Sequence, residues 1–315
     1  MSRVAIIGAG AMGLAAGYYA SKSGHDVEIF EADTIPGGMA AHFDFDGLSI
    51  ERFYHFVCKS DFSTFDLMNE LGIGDQLRWV DTKMGYYIDG KHYHWGNPIS
   101  LLRFPLMNFW QKLRYGLSTF WLTKQKDFDY LENISAVDWI VRNFGQKTYD
   151  LMWKRLLELK FYEYTTNISA AWIATRVKRV GNSRKNIMQE TLGYINGGSQ
   201  TLIDALVKNI ESMGGKIYLG NPIEQVTSQN GKVSGIKIDG KTKLFDFVIS
   251  TCPIPIVSAM IPGLSDAEKI AYDAIKNIGC VCVLVKLKQA VSDNFWLNIN
   301  DANIENVTAT VNAQN

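Results

Sequence analysis

The sequence has few of the features that mark specialised classes of protein. Its four cysteines are too few and too irregularly spaced for a disulfide scaffold or a CxxC site, which favours the reducing cytoplasm. Net charge is absent, because 32 basic residues balance 32 acidic ones, so there is no cation excess to neutralise nucleic-acid phosphates. No uninterrupted apolar run reaches the roughly 18 residues of a membrane-spanning helix. We therefore predict a cytoplasmic protein that does not bind nucleic acid.

What is present is the composition of an ordinary globular protein. The 315 residues are 47% hydrophobic and 20% charged, and this length allows about two domains. A chain of this size buries a large core without disulfides or structural metals.

The first residues carry the strongest motif. The apolar, β-branched run RVAII at 3–7 predicts a buried parallel strand, and GAGAMG and a helical stretch follow it. Glycines in a GxGxxG pattern allow a tight turn and let a pyrophosphate approach the helix N-terminus. The predicted dinucleotide-binding residues of this loop are Gly8, Gly10, Ala11, Met12 and Gly13.

An acidic residue follows at the spacing that such a loop requires. A second predicted strand, DVEIF, ends at Glu31, eighteen residues after Gly13. Its carboxylate would accept hydrogen bonds from ribose hydroxyls and repel a 2′-phosphate, which favours FAD or NAD over NADP. The alternative is a glycine turn that precedes a surface glutamate.

The next motif resembles that of a known superfamily. EADTIPGGM at 31–39 is similar to the extended dinucleotide motif of the flavoproteins that include amine oxidases, protoporphyrinogen oxidases and phytoene desaturases. In that superfamily the GG doublet contacts FAD, so the resemblance implies FAD as cofactor and contacts from Ala32, Gly37, Gly38 and Met39. Many members have Arg where this chain has Met39.

Residues 216–251 predict a three-stranded meander. Asn230-Gly231 and Asp239-Gly240 are strong hairpin turns between alternating or β-branched runs, and a helix is predicted ahead of them from Ser199. In the superfamily this arrangement returns the chain to the FAD domain. The resemblance places Ile223 at the adenine and Thr251 at the cofactor.

These motifs predict a mixed α/β fold of two discontinuous domains. A Rossmann-like FAD-binding domain with a β-meander would comprise 1–60 and 193–262, and a largely helical, mixed-sheet substrate domain would comprise 61–192 and 263–315. Segments such as YYIDGKHYHW and LGYINGGSQ further resemble bacterial protoporphyrinogen-oxidase-like oxidoreductases, over residues 1 to about 300.

The resemblance also places FYHF at 53–56 near the flavin ring, with Phe56 as a cofactor contact. His55 is the candidate catalytic residue, as a general base or as a group that orients substrate. The alternative is that His55 only hydrogen-bonds backbone or flavin. In the strand predicted from GCVCVLVKLK, amine oxidases usually carry a lysine where this chain has Val283, which disfavours an amine-oxidase mechanism.

Three other features have both a functional and a structural interpretation. His92 and His94 lack accompanying ligands, so we predict a sheet face and no metal site. Residues 154–185 hold eight basic and two acidic residues, which would attract an anionic substrate or membrane, or form a solvated helix face. The aromatic segment 101–122 would form a helical core, an apolar access channel or a peripheral membrane contact.

The predicted function is an FAD-dependent oxidoreductase that takes a hydride from a small apolar or amphipathic substrate, with an anionic group as one option. One alternative is a flavin-dependent isomerase of the UDP-galactopyranose mutase type. The other is a truncated, non-catalytic FAD-binding chain, because the superfamily's glycine-rich C-terminal segment is not found after NFWLNI. The motifs predict neither the oligomeric state nor the electron acceptor.

Overall fold

A computed structural model describes residues 1–305, 307 and 309–311. The helices are α1 Ala11–Lys22, α2 Phe62–Glu70, α3 Pro98–Arg103, α4 Phe109–Lys124, α5 Ala136–Phe144, α6 Gln146–Met152, α7 Lys154–Phe161, α8 Ala170–Asn182, α9 Ser199–Ser212, α10 Ile254–Met260 and α11 Asp266–Ala274. The strands are β1 Arg3–Ile7, β2 Asp26–Phe30, β3 His42–Phe45, β4 Leu48–Glu51, β5 Leu77–Thr82, β6 Met84–Ile88, β7 Lys91–Trp95, β8 Arg184–Asn186, β9 Gln189–Ile195, β10 Lys216–Tyr218, β11 Gln225–Gln229, β12 Lys232–Ile238, β13 Lys241–Leu244, β14 Phe247–Ser250, β15 Trp296–Ile299 and β16 Ala309–Val311.

The chain divides into two compact units. The first unit comprises Met1–His55, Thr64–Leu77 and Ile195–Leu284, and the second comprises Phe56–Ser63, Arg78–Tyr194 and Val285–Asn315. Residues 306, 308 and 312–315 of the predicted substrate domain lie outside the described residues. The bounds differ from the predicted domains mainly at 64–77 and 263–284, which both belong to the first unit. Leu67, Leu71 and Ile73 of the first of these segments pack into the core of that unit. The assignment of the units to cofactor and substrate stays a prediction.

The first unit is built on a parallel sheet with the strand order β10-β2-β1-β14. Alternate residues of β1 point to opposite faces of this sheet. Val4 and Ile6 pack with residues of α1 and α9, whereas Ala5 packs with Phe245 and other residues of the meander side. Both faces of β1 are therefore covered, which is why its sequence is a continuous apolar run.

The predicted meander is present as the antiparallel sheet β11-β12-β13. Its two turns have positive φ at both central residues, at Asn230 and Gly231 (52° and 72°) and at Asp239 and Gly240 (48° and 70°). Asparagine, aspartate and glycine tolerate this left-handed conformation, so the turn residues set the register of the hairpins. After the meander, β14 runs parallel to β1 and ends at the same edge of the sheet.

The second unit combines a helical core with two sheets. Buried residues of α4, α5 and α8 form the main core, including Leu122, Ile140, Phe144 and Ala174. One sheet has the strand order β16-β15-β6-β7, and the other has the order β5-β9-β8. In the part of the chain that the structure describes, no helix is long and apolar enough to cross a membrane.

The strand predicted from GCVCVLVKLK, with Lys286 and Lys288 in it, does not form. Residues 279–288 have no regular secondary structure, and the side chains of Val281, Val283 and Val285 are exposed. The alternating pattern is that of a strand, but within the described ranges no other strand pairs with it. Because strand formation depends on cross-strand partners, the pattern alone was not sufficient.

Candidate functional site

The glycine loop after β1 leaves open space at the start of α1. A Cβ atom on Gly13 would lie 1.9 Å from the carbonyl oxygen of Gly8, so only glycine lets α1 pack this closely against the end of β1. A Cβ atom on Gly10 would meet nothing within 4 Å. Gly10 is also the N-cap of α1, and no side chain caps it. The first amide groups of a helix have no intrahelical acceptor, so this end of α1 suits an anionic group.

The fold brings the GG doublet against this glycine loop. The amide of Gly37 donates to the carbonyl oxygen of Ala9 at 2.8 Å, and a Cβ atom on Gly38 would lie 3.1 Å from Cα of Gly10. Gly37 and Gly38 have φ values of 112° and 58°, which favour glycine. Two motifs that are 24 residues apart, from Gly13 to Gly37, thus form one surface.

Glu31 lies at the same sheet edge. Its Oε2 accepts a hydrogen bond from the amide of Ala9 at 2.6 Å, and its Oε1 accepts one from the amide of Asp33 at 2.9 Å. These bonds hold the carboxylate beside the glycine loop. Each carboxylate oxygen retains a further lone pair, so Glu31 can still accept hydrogen bonds from a diol.

Thr251 and Ile223 complete the predicted cofactor set in the first unit. The hydroxyl of Thr251 donates to the carbonyl oxygen of Ile7 at 2.9 Å, and a Cβ atom on Gly8 would lie 2.6 Å from that hydroxyl oxygen. Ile223 is half-buried in the connection between β10 and β11, and no described residue hydrogen-bonds its backbone. Its amide and carbonyl groups are therefore available to the edge of a base.

The exposed side chains of the set lie around this surface. Ala11, Met12, Ala32 and Met39 are exposed to solvent. Together with Gly8, Glu31 and Thr251, which directly follow β1, β2 and β14, they lie at the carboxyl ends of parallel strands. Ligands of open parallel sheets bind at this edge, and the residues present fit a dinucleotide there. The contacts of each residue with FAD stay predictions.

Two of the four residues predicted near the flavin ring, His55 and Phe56, have different surroundings. Nδ1 of His55 lies 3.1 Å from Oε2 of Glu51, and the His55 side chain is 42% exposed. Phe56 belongs to the second unit, where its ring packs edge-on against Phe295 and lies 5.6 Å from the guanidinium carbon of Arg179. Neither arrangement tests the predicted roles.

Sequence reasoning missed the residues that hold His55. The hairpin β3–β4 pairs His42 with Glu51, whose Oε1 lies 3.5 Å from Nε2 of His42. The same oxygen accepts a hydrogen bond from the amide of Ser199 at 2.8 Å. The sequence signal for this pairing is the dipeptide Asp46-Gly47. A two-residue hairpin turn there fixes the register that places position 42 opposite position 51.

Glu51 is strongly acidic in this environment. Burial raises the pKa of its carboxyl group, but hydrogen bonds from His55 and Ser199 outweigh that effect and lower the pKa to about 2. The ionised carboxylate only accepts hydrogen bonds, so Nδ1 of His55 carries the proton that it shares with Glu51. Nε2 is then the second hydrogen-bonding atom of the ring.

We expect Glu51→Gln to destabilise the chain in a pH-dependent way. Because the folded-state pKa lies below the ordinary value of 4.5, the carboxylate stabilises the fold above pH 4.5 by up to about 3 kcal/mol and loses this effect as the pH falls towards 2. The difference in free energy of unfolding between the wild-type chain and E51Q, measured by urea denaturation, should therefore decrease as the pH is lowered from about 6 to about 3. Glu211→Gln, at an exposed site of the same unit, is the control. A difference that does not change with pH would contradict this role of Glu51.

The basic stretch 154–185 is engaged largely with protein groups. Arg179 forms a fork with Asp61, with N–O distances of 2.9 and 2.6 Å, and Lys178 and Arg155 donate to backbone carbonyl oxygens. His92 contacts Asn294, and in the described ranges no group of three His, Cys, Asp or Glu residues is placed to hold a metal ion.

The segment 101–122 does not form a simple helical core. Phe104, Met107 and Leu122 are buried, but most of the large apolar side chains of α4 are exposed. Periodicity predicted an apolar face correctly but did not show that this face is turned to solvent.

Comparison with known proteins identifies relatives of this chain. Residues 13–309 match the family described as flavin containing amine oxidoreductase. A 15-cis-phytoene desaturase from Synechococcus elongatus is 24% identical over 285 residues, which cover 82% of this chain and 60% of the relative. The chain therefore spans about three-fifths of the length of that curated relative.

Two solved structures show the same fold. A putative protoporphyrinogen oxidase from Exiguobacterium sp. 255-15 superposes with a TM-score of 0.69 at 18% identity, over 98% of this chain and 72% of the other. A reduced UDP-galactopyranose mutase superposes with a TM-score of 0.63 at 16% identity, over 87% of this chain and 60% of the other. The family match and these folds confirm the predicted superfamily, the mixed α/β class and a flavin cofactor.

Proposed function

Because the chain belongs to the family of flavin containing amine oxidoreductases, we propose that it is an FAD-dependent oxidoreductase with a small-molecule substrate. The observation that carries this proposal is the single surface formed by the glycine loop, the GG doublet and Glu31 at the edge of the parallel sheet. When bound, FAD supplies an acceptor for a hydride from a C–H or C–N bond of the substrate.

Different residues of this surface bind different parts of the cofactor. Gly10 leaves room for the diphosphate at the N-terminus of α1, where the helix dipole favours negative charge. Glu31 accepts hydrogen bonds from the ribose hydroxyls, and the free backbone groups of Ile223 bind the adenine edge. Thr251 fixes the carbonyl end of β1 and so keeps Gly8 in place.

His55 is the residue of this chain that accepts a proton from the substrate or orients the substrate. The Glu51 carboxylate holds Nδ1, and Nε2 accepts a proton from the substrate or orients it by a hydrogen bond. The similarity to a phytoene desaturase and the valine at position 283 both favour oxidation of a C–H bond over oxidation of an amine. We therefore propose an apolar or amphipathic substrate.

Anaerobic reduction of the flavin tests the reaction class. The purified holoprotein would be mixed, without oxygen, with an apolar polyene, with a polyamine or with UDP-galactopyranose, and its visible flavin absorbance would be followed. Bleaching by the polyene alone is the expected result. Bleaching by the polyamine alone would overturn the proposed substrate class. Conversion of the nucleotide sugar by the pre-reduced protein, without an electron acceptor, would instead establish an isomerase.

A further inference from the structure

Helix α4 presents its apolar face to solvent. Its large apolar side chains recur at spacings of three and four residues, which places them on one side of the helix. Trp110 is 72% exposed and Phe120 is 63% exposed. The exposed apolar side chains of α4 are Phe109, Trp110, Leu113, Leu117, Phe120 and Trp121, and we call this set the α4 face.

The opposite side of α4 makes the contacts with the second unit. Leu122 is completely buried there, and Tyr115 packs against Phe144 with a ring distance of 5.0 Å. The helix is thus anchored by a few side chains, and its broader apolar face stays in water. A contiguous exposed apolar patch of this kind marks an interaction site in a soluble domain.

The segment of the chain that contains the α4 face carries charge of one sign. From residue 90 to residue 126 there is no Asp or Glu, but there are six cations. Lys124 is exposed on α4 itself, and Arg103 is exposed on the neighbouring helix α3. The side chains of Lys112 and Arg114 donate to backbone carbonyl oxygens. The six cations are Lys91, Arg103, Lys112, Arg114, Lys124 and Lys126.

This combination matches the surface of an anionic bilayer. Helices that lie in a membrane interface bury an apolar face that contains tryptophan, while flanking lysine and arginine side chains meet anionic headgroups. The α4 face exposes two tryptophans, Trp110 and Trp121. We propose that the α4 face docks the protein on the surface of an anionic lipid membrane. This docking does not depend on the identity of the cofactor or of the substrate.

Vesicle flotation tests the proposal with the holoprotein. Vesicles of phosphatidylcholine alone would be compared with vesicles that also contain phosphatidylglycerol, at low and high salt. We expect at least about tenfold more protein on the anionic vesicles at low salt, and a loss of this preference at high salt because ions screen the attraction. Equal recovery on both vesicle types, or no recovery on either, would overturn the proposal.

Two sets of variants assign the binding to the α4 face. The double variant Trp110→Ser and Phe120→Ser should lower the bound fraction about tenfold, and Arg103→Glu with Lys124→Glu should abolish the preference for anionic lipid. Ile187→Ser and Ile270→Ser are matched controls, because both isoleucines are similarly exposed but lie outside the α4 face. Unchanged binding by the first variant would contradict the proposal. A second result would also contradict the proposal: light scattering shows a dimer of the wild-type chain that dissociates in the same variant, and no vesicle binding is found. The α4 face would then join two copies of the chain.

Discussion

Replacing Gly10 with alanine is expected to weaken FAD binding by roughly 10- to 100-fold, with the thermal stability of the apoprotein unchanged. The added Cβ atom would meet no protein atom within 4 Å, and Gly10 has a φ of −67°, which alanine adopts readily. The methyl group would instead occupy the space that the diphosphate needs. Titration of the apoprotein with FAD, together with a melting curve without FAD, measures both quantities.

Two other glycines provide the comparison for this variant. Gly13→Ala should lower both FAD affinity and stability, because its Cβ atom would overlap the carbonyl oxygen of Gly8 at 1.9 Å. Gly279→Ala should change neither, since nothing lies within 4 Å of its added Cβ atom and the residue is remote in sequence from the predicted site. If Gly10→Ala bound FAD as tightly as the wild type, the diphosphate would not lie at this loop.

Replacing Glu31 with glutamine is expected to have the second largest effect. A glutamine side chain has only one acceptor oxygen. It therefore cannot accept hydrogen bonds from the amides of Ala9 and Asp33 and also from a ribose hydroxyl. Loss of hydrogen bonds to a charged group costs about 1.5–3 kcal/mol each, which corresponds to roughly 10- to 100-fold in FAD affinity. A smaller loss of apoprotein stability should accompany it, because the two backbone bonds also hold the loop.

Glu70→Gln is the matched control for Glu31→Gln. Glu70 also accepts hydrogen bonds, from Lys22 at 2.7 Å and from Tyr18 at 3.4 Å, but it lies in α2, outside the predicted cofactor set. It should change stability slightly and leave the dissociation constant of FAD as it is. Equal FAD affinities for the wild type and E31Q would remove Glu31 from the cofactor site.

The elements that the sequence predicts correctly are those whose determinants are local. The run RVAII, the glycines at 8, 10 and 13 and the turns at 230–231 and 239–240 each impose a conformation through their own side chains or through the lack of one. The family match adds the cofactor class, which depends on the same motifs. The strand β1, the glycine loop and the meander of the first unit follow from these few positions.

The features that sequence reasoning missed depend on distant partners. The strand predicted at 279–288 needed a neighbouring strand, and its valines are exposed instead. The acidity of Glu51 arises from His55 and from Ser199, which is 148 residues away in the chain. The outward orientation of α4 depends on which side of the helix finds a core, and a periodic pattern contains no information about that choice.

The most direct measurement is the cofactor content of the purified chain. The protein would be reconstituted with FAD, freed of unbound ligand by gel filtration, and denatured to release and identify what it holds. We predict one FAD per chain, and a Gly10→Ala variant that retains a small fraction of it although it is folded. A chain that stays colourless after reconstitution, or that binds FAD equally well with alanine at position 10, would contradict the proposed site.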